Sequence, residues 1–110
     1  MITNITTGEV ISKNELYCTN SFTHMLGLMF RKKQNLVMIF KNERKMYLHN
    51  FFVFYPIDVL VLNKEKEIIE IKKRFQPFTF WNSSKEGIYL IELGFPSNYS
   101  VGDHLRFLTK

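Results

Sequence analysis

Apolar and polar positions along this 110-residue chain follow two different periods, and the change of period sorts it into elements. In "TNSFTHMLGLMFRKK", Phe22, Met25, Leu26 and Met29 recur at helical spacing, with Thr19 or Asn20 placed to cap the first turn. Arg31, Lys32 and Lys33 follow, where the helix dipole favours positive charge. The pattern predicts one main helix there. Before it, "VI" and "ELYC" flank the turn-like "SKN" and predict a short edge hairpin or strand pair.

Downstream the period shortens to that of strands. "NLVMIF" is short, apolar and partly β-branched, and the polar "KNER" reads as a loop before a second strand region, "KMYLHNFFVF". "IDVLVLN" and "EIIEIKKRF" predict a hairpin turning at Asn63, because Ile69 and Ile71 alternate with Glu70 and Lys72 as on a half-solvated strand. "FTFWNSSKEG" reads as a short strand and a polar loop, "IYLIEL" as a strand, "GFPSNYSVGD" as a turn with room for one helical turn, and "HLRFL" as a closing strand. The expected class is α+β, mostly β: a small antiparallel, partly closed barrel of about seven strands, one opening covered by the main helix. No repeat or linker divides the chain, so residues 1–110 are expected to form a single domain.

Composition adds few constraints. An aromatic share of 15%, including eleven Phe, suits a β-rich core. The single Cys18 excludes an internal disulfide and is expected to be a small buried apolar residue, consistent with a reducing cytoplasm. The start "MITNITTGEV" has no positive region followed by an apolar one, and Pro56 and Asp58 break the longest apolar run. A soluble cytoplasmic protein without membrane contact is expected.

Net charge is +5, much of it in Arg31-Lys32-Lys33, Arg44-Lys45 and Lys72-Lys73-Arg74. Such clusters are either solvated loop ends or a nucleic-acid footprint, the latter resting on Arg31, Lys32, Lys33, Lys72, Lys73 and Arg74.

Asp58 is the leading candidate for chemistry. An unpaired carboxylate is costly among the apolar residues of "IDVLVL", so Asp58 must be paired, turned outward, capping a turn after Pro56, or reserved for a ligand. Pro56 cannot donate to a sheet ladder, so a break is expected between Phe54 and Ile57, with Asp58 anchoring the restart. His49 opens the same aromatic stretch, but lies nine positions away on the opposite side of an unbroken strand; only a bend at Pro56 would bring the two together. Arg31 offers a guanidinium to Asp58, Glu92, Asp103 or an anionic ligand. His24, His49 and His104 are too scattered for a zinc site, so no metal or cofactor is expected. There is no nucleophile elbow, phosphate-cradling glycine loop or HExxH, and Ser83-Ser84 read as loop.

Several pieces together carry a family resemblance. "GLMFR" ends the predicted helix, "MIF" follows, then come a strand ending in "PID", a hairpin and a strand ending in "EL", and "GD" comes late. In that order, over residues 18–108, the chain resembles the domain of unknown function 192 family of bacteria and archaea. The common bacterial form has a Trp-Met-Lys-Asn-Thr type of segment before the proline. Here "LHNFFVFYPID" stands instead, similar to the archaeal branch, so nothing resting on that lysine and threonine carries over. The resemblance implies a compact, mostly β domain with one helix, and no activity.

The expected function is therefore a ligand-binding or protein-interaction module. Its cleft would lie between helix and barrel, with "FFVFY" and Trp81 as apolar walls and Arg31, His49 and Asp58 as polar contacts for a small anionic ligand or protein partner. The alternative is a nucleic-acid-binding accessory protein. Least expected is a hydrolase-type enzyme using Asp58 or His49.

Overall fold

The structure is a computed structural model, and it describes residues 1–19, 33–49 and 54–108. Eight strands run in chain order: β1 Ile2–Asn4, β2 Val10–Ser12, β3 Glu15–Cys18, β4 Asn35–His49, β5 Ile57–Leu62, β6 Ile68–Phe75, β7 Phe80–Leu93 and β8 Leu105–Arg106. They form a three-stranded sheet, β2-β1-β8, and a five-stranded sheet, β3-β4-β7-β5-β6.

This architecture corrects the expected α+β partly closed barrel with a main helix. No helix is present among the described residues, and all but Thr19 and Lys33 of the segment predicted to be helical lies outside them. The five-stranded sheet is open, with β3 and β6 at its two edges. It is also mixed: β3 runs parallel to β4, and β2 belongs to the other sheet, so the expected edge hairpin is not formed.

The strand count differs for a related reason. "KNER" lies inside the 15-residue β4, and "NSSKEG" inside the 14-residue β7. These polar stretches pair with each other as an exposed ribbon, Arg44 opposite Gly87 and Lys45 opposite Glu86, with register shifts on either side of Arg44 and Lys45. Buried Ser83 accommodates the irregularity: its Oγ accepts the Met46 N–H at 2.7 Å and donates to the Lys85 carbonyl at 2.8 Å. Glu70 secures the outer side by accepting the N–H groups of Ser84 and Lys85 at 3.0 and 2.9 Å. Residues 94–103 form no helical turn.

Side-chain alternation along the large sheet divides the core in two. On one face Val37, Leu60, Leu62, Ile68, Ile91 and Leu93 pack against Ile2, Ile11 and Leu105 of the small sheet, with Tyr99 and Phe107. On the other face lie Leu36, Met38, Val59, Val61 and Leu90, with Cys18, Met46, Ile57 and Phe75. β5 has every residue buried because both its faces are covered. The predicted hairpin at Asn63 is formed: its Oδ1 accepts the N–H groups of Glu65 and Glu67.

Candidate functional site

Asp58 is the second residue of β5, and no strand covers Phe54, Tyr55 or Pro56 before it. The proline therefore marks a strand start, as its missing donor requires. Across from it, Ile57 pairs with Phe75 and Val59 with Lys72, so two β6 residues, Lys73 and Arg74, stand opposite Asp58 alone. This is a β-bulge, which re-aims the side chains of the bulged strand. Arg74 has a positive φ of 52°, a conformation that disfavours any residue with a Cβ. Asp58 holds it there: Oδ1 accepts the Arg74 N–H at 2.9 Å.

The other carboxylate oxygen, Oδ2, accepts the hydroxyl of Tyr99. Both groups are buried, Asp58 4% and Tyr99 7% exposed. Burial, and then the Asp58 carboxylate, push the Tyr99 hydroxyl well above its ordinary value, so it stays protonated as the donor. Tyr99 lies in the segment that follows β7. Gly94 anchors the start of that segment by donating to the Gln34 carbonyl at 3.0 Å, and Phe95 N–H donates to Asn35 Oδ1 at 3.1 Å. A Cβ at Gly94 would overlap the Gln34 backbone, which accounts for glycine at that position.

Above Asp58 opens a concavity of about 430 Å³, lined by Lys33, Pro56, Asp58, Lys73, Arg74, Pro96 and Ser97. Two of its cations rest on aromatic rings of the 94–99 segment: Lys33 Nζ lies 5.1 Å from the Phe95 centroid and Lys73 Nζ 5.4 Å from that of Tyr99. Among the described residues no carboxylate stands within ion-pair distance of Lys33, Lys73 or the Arg74 guanidinium. Asp58 supplies one negative charge at the floor, already engaged by two donors.

The other candidates are distributed differently. Arg31 and Lys32 lie outside the described residues. His49 is exposed and pairs with Phe80, and half-buried Trp81 pairs with Leu48; Asp58 pairs with Leu93, at the opposite end of β7. His49 and Trp81 thus share one end of the large sheet and Asp58 the other. Lys72 is half-buried in β6, and Arg44 lies over the Phe40 ring at 5.3 Å on the exposed ribbon. No group of three or more His, Cys, Asp or Glu able to hold a metal occurs among the described residues. Nor, among them, does any helix long and apolar enough to cross a membrane.

Two further carboxylates are buried. Asp103 follows Gly102, whose φ is +98°, and its Oδ2 accepts Asn4 Nδ2 at 2.8 Å and Ser100 N–H at 2.9 Å, tying β1 to the turn before β8. Glu92 is different. It sits in β7 between Leu36 of β4 and Val59 of β5, on the apolar face away from the small sheet, and its buried Oε1 has no hydrogen-bond partner among the described residues. Burial raises its carboxyl to about 7. Burial and the neighbouring Glu92 charge also raise the hydroxyl of Tyr55.

Tyr99 and Glu92 escaped the sequence reading as site residues. Glu92 was visible as the lone charge in "IYLIEL"; Tyr99, 41 positions from Asp58, gave no local signal.

Similarity to known proteins follows the same frame. The chain is 29% identical over 92 residues to a UPF0127 protein of Pyrococcus furiosus, covering 81% of this chain and 78% of that one. It is 30% identical over 96 residues to a UPF0127 protein of Thermococcus sibiricus, covering 84% of this chain but only 62% of the relative. Two crystal structures share the fold. One, from Sinorhizobium meliloti, is of a protein described provisionally as a transcription regulator (TM-score 0.76, 19% identity, 84% of this chain and 79% of that one). The other is a protein of unknown function from Novosphingobium aromaticivorans (TM-score 0.74, 14% identity, 84% and 74%). With residues 4–105 matched by the family described as an uncharacterized ACR, the chain belongs to the domain of unknown function 192 family.

Proposed function

We propose that this protein is a binding module for a small anion, with its site in the concavity over the β5–β6 bulge. The observation that carries the reading is the meeting of Lys33, Lys73 and Arg74, from two separated stretches of chain, at one concavity with no carboxylate paired to them among the described residues. Three cations gathered around a single carboxylate that is already engaged by two donors repel one another, and an anion relieves that repulsion. The bulge and the positive φ of Arg74 support the reading, because such backbone departures cluster where side chains are aimed at ligands.

The site takes Asp58 from the sequence expectation but replaces its companions. His49 at the end of β4 and Trp81 near the start of β7 lie at the other end of the sheet from Asp58. A nucleic-acid groove receives less support: Lys33 and Lys73-Arg74 meet, whereas Arg44-Lys45 sits on β4, with β7 and β5 between it and β6.

Titration calorimetry at low ionic strength with acetate, malonate and inorganic phosphate tests the proposal. At least one anion should bind, about tenfold more weakly to the Lys33→Gln/Lys73→Gln double variant, and more weakly as salt screens the site. Absence of binding, or binding indifferent to that variant, would overturn it. Retention of a single-stranded oligonucleotide without affinity for any of the three anions would favour the nucleic-acid reading instead.

A further inference from the structure

We infer that the anion is a phosphate monoester whose carbon skeleton carries a free hydroxyl, of the kind found in phosphorylated sugars and polyols. This inference rests on the anion-binding reading above and narrows it.

The first step is charge. Two lysines and one arginine line the concavity, against the single carboxylate of Asp58. A monocarboxylate would occupy one of the three cations and leave the others uncompensated. A phosphate monoester carries nearly two negative charges at neutral pH and presents three oxygens in a tetrahedral array. An arginine fork with two mobile point charges suits that array better than the planar two-oxygen face of a carboxylate. Ser97, half-buried on the rim, adds a hydroxyl donor.

The second step is volume. The concavity of about 430 Å³ far exceeds the roughly 30 Å³ that one water molecule occupies in the liquid, so a phosphate group alone would leave most of it unfilled. The remaining wall is formed by Pro56 and Pro96, rigid apolar surfaces against which a short carbon skeleton can lie.

The third step concerns Asp58 itself. A carboxylate at the floor of a site for an anion weakens the site unless it has a task there. Each of its oxygens accepts one protein donor, Arg74 N–H on Oδ1 and the Tyr99 hydroxyl on Oδ2, and each retains a second lone pair. An acceptor-only group lining the concavity selects a ligand that brings its own donor. A hydroxyl a few bonds from the phosphate supplies one, with the phosphate held by the cations and the hydroxyl by Asp58. No bond is made or broken in this step.

The test is a calorimetric comparison of glycerol 3-phosphate, ethyl phosphate and malonate on the full chain, at one pH and low ionic strength. Glycerol 3-phosphate should bind about tenfold more tightly than ethyl phosphate, which lacks the hydroxyl, and ethyl phosphate more tightly than malonate. In Asp58→Asn the first gap should shrink while ethyl phosphate binds as well or better, because a negative charge has left the floor. If that variant fails to fold, the same order among the three ligands with the unaltered chain still decides. Malonate binding as tightly as either phosphate ester would overturn the phosphate assignment while leaving the anion site standing. Equal affinity for the two esters would overturn the role of the hydroxyl. Binding of none of the three compounds would overturn both the inference and the reading beneath it.

Discussion

Asp58 and Glu92 are one step apart on the same ladder. Asp58 pairs with Leu93 across β5 and β7, and Val59 with Glu92, so the two carboxyl groups leave opposite faces of one sheet. Their exposure is nearly equal, 4% and 6%. Their surroundings are not. Asp58 points to the face where a bulge and the 94–99 segment supply donors, whereas Glu92 points to a face where its ladder neighbours are Leu36 and Val59. A buried carboxyl is thus compatible with this fold in two forms, one as a partnered anion and one with a raised affinity for its proton. Asp58 organises local structure, and Glu92 makes folding depend on pH.

The largest effect should come from breaking the partnered side. Asp58→Ala removes the acceptor for both the Tyr99 hydroxyl and the Arg74 N–H, leaving a buried donor and a strained bulge residue without support. Hydrogen bonds to charged groups contribute about 1.5–3 kcal/mol each, so the loss should be about 4 kcal/mol in urea unfolding. A loss below about 1 kcal/mol would mean that the bulge holds itself without Asp58.

Glu92 gives the next effect, with a pH signature. Its carboxyl titrates near 7 in the folded chain against 4.5 for an ordinary glutamate. Below the lower value both folded and unfolded chains hold the proton, so nothing is lost. Between the two values the unfolded chain releases it while the folded chain keeps it, and stability falls as pH rises. Above about 7 the penalty is complete, roughly 3 kcal/mol from this group. Glu92→Met, close in shape and without a charge, should remove that component, so its advantage over the parent grows between pH 4 and pH 8. Parallel stability profiles for the two proteins would show that Glu92 is paired after all.

Individual residues show how far the sequence carried. The break at Pro56 and restart at Ile57 were legible because a residue without an N–H can only open or edge a strand. That Asp58 must be paired, capping a turn or turned outward was legible from its neighbours, but which of these and with what partners was not: Arg74 is 16 positions away and Tyr99 41, and only the assembled sheet brings them near. Polar runs such as 41–44 and 82–86 read as loops because nothing in their pattern announces a two-stranded ribbon exposed to water. There the backbone groups are satisfied by the opposite strand, and the bulge by Ser83. The parallel pairing of β3 with β4 also left no local mark, since parallel register is set by the crossover between two strands and not by either strand. "PID", "EL" and "GD" are separate pieces of the family pattern in the sequence, and in the structure each carries a buried carboxylate: Asp58, Glu92 and Asp103. Asp58 and Asp103 each accept hydrogen bonds from protein donors, whereas burial raises the carboxyl of Glu92 to about 7.

The finest test separates the hydrogen bond at Tyr99 from the ring that carries it. Tyr99→Phe deletes the donor to Asp58 Oδ2 but keeps the aromatic face beneath Lys73. Asp58 would then rely on the Arg74 N–H alone, and the expected loss is about 2 kcal/mol, half that of Asp58→Ala. A double-mutant cycle of the two substitutions should show a coupling of similar size, since both remove the same bond. Phosphate affinity should change little, because Lys73 keeps its support and Arg74 its backbone anchor. If affinity instead falls as far as in Lys33→Gln/Lys73→Gln, the hydroxyl positions the cations, and the partnered face is a single unit from Tyr99 through Asp58 to Arg74.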